Sequence, residues 1–252
     1  MNDNKNVFAI ILIGGMGSRF SLLNEPPKQL IRLNKRSLLE NLMISFIKNG
    51  ICNFVLPLGY KKKFFLNFFK NKKKILGKKI HISSTKIKKF QKNMINITLF
   101  DAGIDSSKLV RIKKSLNFFD SKIFYVTYGD GIADIDLKQH IKLFKKYEKV
   151  IITCKYVHSQ YGHLKINNKK VLEFNEKPIM KDPINIGYYL FSKKLFNNFY
   201  NKKYELENEF TKKIIKSDKI YPNIHKGFFF NIDRKIDLIN IKKTYKNILN
   251  KL

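Results

Sequence analysis

The chain has 252 residues, 44% of them hydrophobic, and sets 51 basic side chains against 19 acidic ones, for a formal charge of +32. That apolar content excludes a disordered tail, and the length suits one large domain or two small ones. No apolar run reaches the roughly 20 residues of a membrane-crossing helix. Asp3 and the short run at 7–13 do not make a secretory leader, so a cytoplasmic protein without a membrane partner is expected. Five of the basic residues are arginine (Arg19, Arg32, Arg36, Arg111 and Arg234), and the rest are lysines spread along the chain. Scattered lysines give non-specific affinity for nucleic acid, so no specific nucleic-acid partner is expected. Where lysine so nearly replaces arginine, each arginine left is expected to do what lysine cannot, such as hold phosphate bidentately.

Residues 1–6 read as a disordered N-terminal extension, and no linker or repeat divides 1–252 into more than one domain. The continuously apolar run 7–13 predicts a strand covered on both faces. Ser37 and Glu40 form a capping box ahead of a helical repeat, Leu38, Leu39, Leu42, Met43, Phe46 and Ile47, which Asn49-Gly50 closes. "FVLPLGY" predicts a short strand whose donor pattern Pro57 interrupts. Residues 64–79 read as a lysine-studded helix and turn, and 81–99 as short strands. A second strand–helix–strand unit follows: 122–131, a helix over 136–149 capped by Asp136, and 150–157. Cys52 and Cys154 lie far apart in strand-like stretches and read as buried, reduced thiols. "VLEFNEKP" and "INIGYYLFS" predict further strands, 207–217 a helix, and the chain from Lys235 a last helix. The fold class is α/β: a mostly parallel sheet with an antiparallel addition, flanked by helices.

Three stretches carry chemistry. "FAIILIGGMGSRF" ends a buried strand in Gly14, Gly15 and Gly17 and then Arg19. Phe20 stands where a dinucleotide fingerprint needs glycine, and no Gly-Lys-Ser/Thr follows. Exposed N–H groups beside a guanidinium suit phosphate all the same. "YGDG" places Asp130 at a strand's carboxyl end, where ligands collect in open parallel sheets. A hard cation and a plain Asp-Gly turn both fit it. Asp233 in "FFFNIDRKID" fits either a helix N-cap or a second carboxylate for the same cation.

Taken together, "ILIGGMGSRF…PPKQL", "YVTYGDGIADID", "EFNEKP" and "INIGYYLF" resemble the sugar-phosphate nucleotidyltransferases, the nucleotide-sugar pyrophosphorylases. The likeness covers about residues 7–245 and is greatest to the cytidylyltransferases that act on glucose 1-phosphate. The resemblance implies one Rossmann-like nucleotide-binding domain, CTP and a sugar 1-phosphate as substrates, Mg2+ as cofactor, a homo-oligomer, and a place in nucleotide-sugar supply for polysaccharide. It puts Leu12, Ile13, Gly14, Gly15, Met16 and Gly17 under the nucleotide, with Ser106, Arg111 and Gly129 beside it. It assigns catalytic roles to Arg19, Lys28 and Asp130, the metal to Asp130 and Asp233, and the sugar phosphate to Glu176, Lys177 and Asn185. One departure stands out. The family has Thr-Gly-Gly-Arg before a helix, and this chain has Lys108-Leu109-Val110-Arg111. Side chains there, and β-branched Val110 above all, resist positive φ, so an altered loop path and altered selectivity are expected. A related transferase with another nucleotide or acceptor, and a basic nucleic-acid-binding protein, are the competing readings.

Overall fold

The computed structural model describes residues 7–15, 25–33, 35–86 and 93–244. The expectations for residues 1–6 and for Met16, Gly17 and Arg19 lie outside the described residues. The chain begins with β1 (Phe8–Leu12), a ribbon of β2 (Arg32–Leu33) and β3 (Arg36–Ser37), α1 (Leu38–Lys48), β4 (Asn53–Leu58) and α2 (Lys62–Lys70). Next come β5 (Lys74–Ile75), β6 (Lys78–Ser83), β7 (Ile95–Asp101), α3 (Lys108–Ser115), β8 (Ile123–Tyr128), β9 (Gly131–Ala133), α4 (Leu137–Tyr147) and β10 (Val150–Lys155). The last third holds β11 (His163–Asn167), β12 (Lys170–Asn175), β13 (Ile184–Ser192), α5 (Lys193–Phe199), α6 (Thr211–Lys216), β14 (Ile220–Ile224), β15 (Phe229–Asn231) and α7 (Lys235–Thr244).

Nine strands form one sheet in the order β14-β10-β13-β8-β1-β4-β7-β6-β5. Strands β8, β1, β4, β7 and β6 run parallel. Strand β13 enters antiparallel between β8 and β10, and β14 lies parallel to β10. The expected sheet, mostly parallel with an antiparallel addition, is what forms. Both faces are covered, which is why β1 is apolar throughout. Ala9, Ile11 and Ile13 pack into one core with Phe46 of α1, Phe65 of α2 and Ile141 of α4. Phe8, Ile10 and Leu12 pack into the other with Leu109 of α3, Phe196 of α5 and Ile214 of α6. Each fully buried aliphatic or phenyl side chain stabilises the fold by about 1.5–3 kcal/mol.

The helix signals act as read. The Glu40 N–H donates to Ser37 Oγ at 3.1 Å, and the Ser37 N–H donates back to Glu40 Oε2 at 2.8 Å. Gly50 takes φ +86 just past α1, the left-handed backbone that glycine tolerates. Asp136 Oδ1 accepts from the N–H groups of Lys138 and Gln139 at the start of α4. Cys154 is buried, Cys52 is half-buried, and both are free.

Three expectations need correction. Residues 64–79 are helical only through Lys70, and β5 and β6 then turn back as a hairpin. "VLEFNEKP" forms β12, but it pairs with β11 alone in an exposed hairpin outside the main sheet. An alternating strand pattern names no partner, so the sequence could not tell the two apart. Lys108, Leu109 and Val110 do not precede the helix; they are the first turn of α3, with Ser107 as its N-cap. Neither Leu109 nor Val110 takes positive φ, and Leu109 is buried, so the substitution adds core and leaves no loop to re-route.

Candidate active site

The chain leaves β1 to one side through α1 and β4, then returns after β7 to place β8 on the other side of β1. That reversal opens a crevice beyond the carboxyl ends of β1 and β8, where open α/β sheets bind ligands. A cleft of about 560 Å³ lies there. Among the described residues its walls include Ile13 and Gly15 after β1, Tyr60 after β4, Ser106 and Ser107 before α3, and Asp130 after β8.

The glycines after β1 have separate tasks. Gly14 has φ +87, and a Cβ there would fall 2.5 Å from the Gly59 nitrogen. Its carbonyl accepts from the Tyr60 N–H at 2.9 Å. Gly14 is therefore a contact between two strand ends. Gly15 is exposed, faces open space and lines the cleft. Gly129 is a second close approach: its N–H donates to Leu12 O, and a Cβ would fall 2.6 Å from Ile13 Cγ2.

Arg111 sits beneath this floor at 4% exposure. Its Nη1 donates to the carbonyls of Ile13, Pro57 and Leu58 at 3.2–3.5 Å. Its Nη2 donates to those of Gly14, Gly103 and Ile104, and its Nε to that of Ser106 at 2.9 Å. The β1 ladder with β4 ends at Val55, before Pro57, and Arg111 takes up the carbonyls where the two strands part. Gly59 leaves the room, since a Cβ there would fall 2.5 Å from Nη2. Burial lowers the guanidinium pKa, and Asp101 partly offsets that. The fork thus binds carbonyls of three cleft-forming segments: the end of β1, the end of β4 and the loop before α3. Ser106, the other residue of that group, donates its hydroxyl to Ala102 O.

Lys28, Asp130 and Asp233 meet at the cleft. The Lys28 ammonium lies 2.9 Å from Asp130 Oδ2 and 3.1 Å from Asp233 Oδ1. The pairing of β9 with β15 brings the two carboxylates together, and the Ile232 N–H donates to Asp130 O across it. The N-cap reading of Asp233 is not what its side chain does. Asp237 Oδ2 accepts from the N–H groups of Asp233 and Arg234, while the Asp233 carboxylate faces Lys28 and Asn231. Two hard oxygen donors converging on one cationic position fit a divalent ion completed by substrate phosphates. Among the described residues no group of three or more His, Cys, Asp or Glu could hold a metal alone.

The sequence reading named Asn185 but missed the polar chain that it joins on the opposite wall. Lys108 pairs with Glu207 and lies over the Tyr128 ring at 5.2 Å. The Tyr128 hydroxyl donates to Glu207 Oε1 at 2.6 Å and lies 3.3 Å from the Tyr189 hydroxyl, which Asn185 Nδ2 in turn contacts. Burial raises the Glu207 carboxyl, but the bonds from Lys108 and Tyr128 outweigh it and the net shift is downward. Burial is the main cause of the raised Tyr128 phenol. Nothing in "YELENEF" singles out Glu207; only the fold brings it to Tyr128. Glu176 and Lys177 stay apart from this constellation. They are exposed, 3.6 Å from each other, and neither lines the cleft.

A family model described as "Nucleotidyl transferase" matches residues 8–223. The glucose-1-phosphate cytidylyltransferase of Salmonella typhimurium is 27% identical over 93% of this chain and 94% of its own length. The D-glycero-alpha-D-manno-heptose 1-phosphate guanylyltransferase of Campylobacter jejuni is 31% identical over 89% of this chain and 93% of its own. Among solved structures, HddC from Yersinia pseudotuberculosis superposes with a TM-score of 0.67 at 20% identity, covering 95% of this chain and 99% of that one.

Proposed function

Because the chain belongs to the nucleotidyl transferase family, we propose that it transfers a cytidylyl group from CTP to a sugar 1-phosphate, giving a CDP-sugar and pyrophosphate. The convergence of Lys28, Asp130 and Asp233 at the switch-point cleft carries this reading. An oxygen of the acceptor phosphate attacks the α-phosphorus. A P–O bond forms there, and the bond to the leaving pyrophosphate breaks. The nucleophile is already an anion, so no general base is required. The protein's tasks are positioning and charge neutralisation. Lys28 would hold the α-phosphate as charge shifts, and Arg19 the departing β- and γ-phosphates. The family resemblance would give the acceptor phosphate to Lys177 and the sugar to Glu176 and Asn185, although Glu176 and Lys177 are exposed and do not line the cleft. Asp130 and Asp233 would hold a magnesium ion, which supplies Lewis-acid neutralisation of the triphosphate.

GTP is the second reading, favoured by the 31% identity to a heptose 1-phosphate guanylyltransferase. Pyrophosphate release decides between the two, measured over four nucleoside triphosphates crossed with glucose, mannose and heptose 1-phosphates. CTP with one of these sugar 1-phosphates should give the highest kcat/KM; a GTP maximum moves the reading to the guanylyl branch, and silence across the grid rejects sugar-nucleotide synthesis. D130N and D233N should each lower kcat on the order of 10²–10³-fold, with the double variant little worse, because parts of one unit are not additive. Near-normal turnover in either removes that carboxylate from the reaction.

A further inference from the structure

The Lys28 ammonium stands where the two carboxylates converge, with its side chain 12% exposed. A magnesium ion holds oxygen at about 2.0–2.1 Å and fills its coordination shell. It cannot occupy a space whose centre is an ammonium group 2.9 and 3.1 Å from the same oxygens. Charge makes the exclusion stronger, because a dication and an ammonium repel at that range. The lysine side chain is flexible and bears a point charge that any phosphate oxygen satisfies equally well. We propose that Lys28 is the placeholder of the cation site. It occupies the space between Asp130 and Asp233 and bars a divalent ion until a nucleotide phosphate draws the ammonium away. The inference rests on the metal reading above and adds what controls that site.

The geometry has a thermodynamic consequence. Nucleotide binding frees the carboxylates, so it raises cation affinity, and the cation then raises nucleotide affinity by the same factor. The free protein is a poor ligand for a divalent ion although its carboxylates are already in place. The backbone positions support this. Asp130 and Asp233 are fixed by the β9–β15 pairing and not by Lys28, so removing the ammonium leaves the two donors aligned.

Binding of Mn2+ alone, read by electron paramagnetic resonance with no nucleotide present, tests the proposal without turnover. K28M and K28Q are compared with wild type, and thermal melting checks that each is folded. Both variants should bind Mn2+ at least tenfold more tightly than wild type, and adding D130N to K28M should abolish the gain. Unchanged or weaker binding in both folded variants overturns the placeholder and leaves the metal reading to the turnover of D130N. A gain that survives D130N places the ion elsewhere and overturns the metal reading itself.

Discussion

Arg111 shows what a single residue type can and cannot disclose. Its rarity among lysines marks it as a group whose fork matters, and the fork is used. Its acceptors are backbone carbonyls of three segments, and no residue string displays carbonyls. R111K keeps the charge but has one ammonium where five N–H donors stood. It should lose on the order of 3 kcal/mol in urea unfolding, since the carbonyls left short are buried; a loss under about 0.5 kcal/mol would show that the fork is dispensable to the floor. His140 is a second buried cationic type, invisible in sequence as such. It packs beside Tyr125, with Thr153 Oγ1 at 3.0 Å from Nε2 and Nδ1 without a partner. Burial lowers its pKa to about 4; Asp136 opposes that shift and His225 adds to it. The unfolded chain takes up its proton near pH 6.5 and the folded one does not. Stability is therefore held above pH 6.5 and falls as pH drops toward about 4, by up to about 1.4 kcal/mol per unit. H140Q should flatten that slope between pH 6.5 and 5, before most carboxylates titrate. An unchanged slope assigns the acid sensitivity to other groups.

Elements were legible where one physical signal fixes them. The run 7–13 is covered on both faces, Ser37 and Glu40 cap α1, and Asp136 caps α4; each signal is local and each acts locally. What the sequence could not supply was the partner. β12 reads as a strand whether it joins the sheet or leaves it, and α3 reads as beginning later because the family's glycines set the expectation. In the structure Leu109 belongs to the core and only Lys108 reaches the cleft wall. Two substitutions one residue apart should therefore behave oppositely. L109A should cost about 2–5 kcal/mol by leaving a cavity, with the ranking of acceptors unchanged. K108T removes an exposed pair with Glu207 and should leave the melting temperature nearly unmoved, because such pairs contribute little. It also releases Glu207 and Tyr128 at the wall, so the ratio of kcat/KM between paired acceptors or nucleotides should shift severalfold. If L109A changes that ratio and K108T does not, selectivity runs through the core of α3 and not through the cleft.

At the scale of the whole molecule the open question is what +32 is for. A charge of that size attracts polyanions, and both substrates of the proposed reaction are anions, as is any nucleic acid. The commonest specific base contact is a bidentate one to guanine, which a guanidinium fork makes when it is presented at a groove. Only two of the four described arginines share an element. Arg111 is internal, Arg234 lies 3.6 Å from Asp237, and Arg32 and Arg36 lie on the small β2–β3 ribbon. Several lysines are also engaged with carboxylates, as in Lys62–Asp101 and Lys149–Asp218. The charge is thus a diffuse field, and a diffuse field acts through released counterions. Duplex DNA should bind at low salt, with the same affinity for unrelated sequences of equal length. Between 50 and 200 mM salt that affinity should fall about 10³-fold or more, linearly in the logarithm of salt concentration. Nucleotide held in the cleft should lose much less over the same range, because its phosphates meet fixed groups at short range. Fluorescence anisotropy with two unrelated duplexes, set beside nucleotide binding in the same buffers, measures both. Sequence-selective binding that persists at about 150 mM salt would mean that the basic surface is a recognition surface and that the enzyme reading describes only part of the molecule.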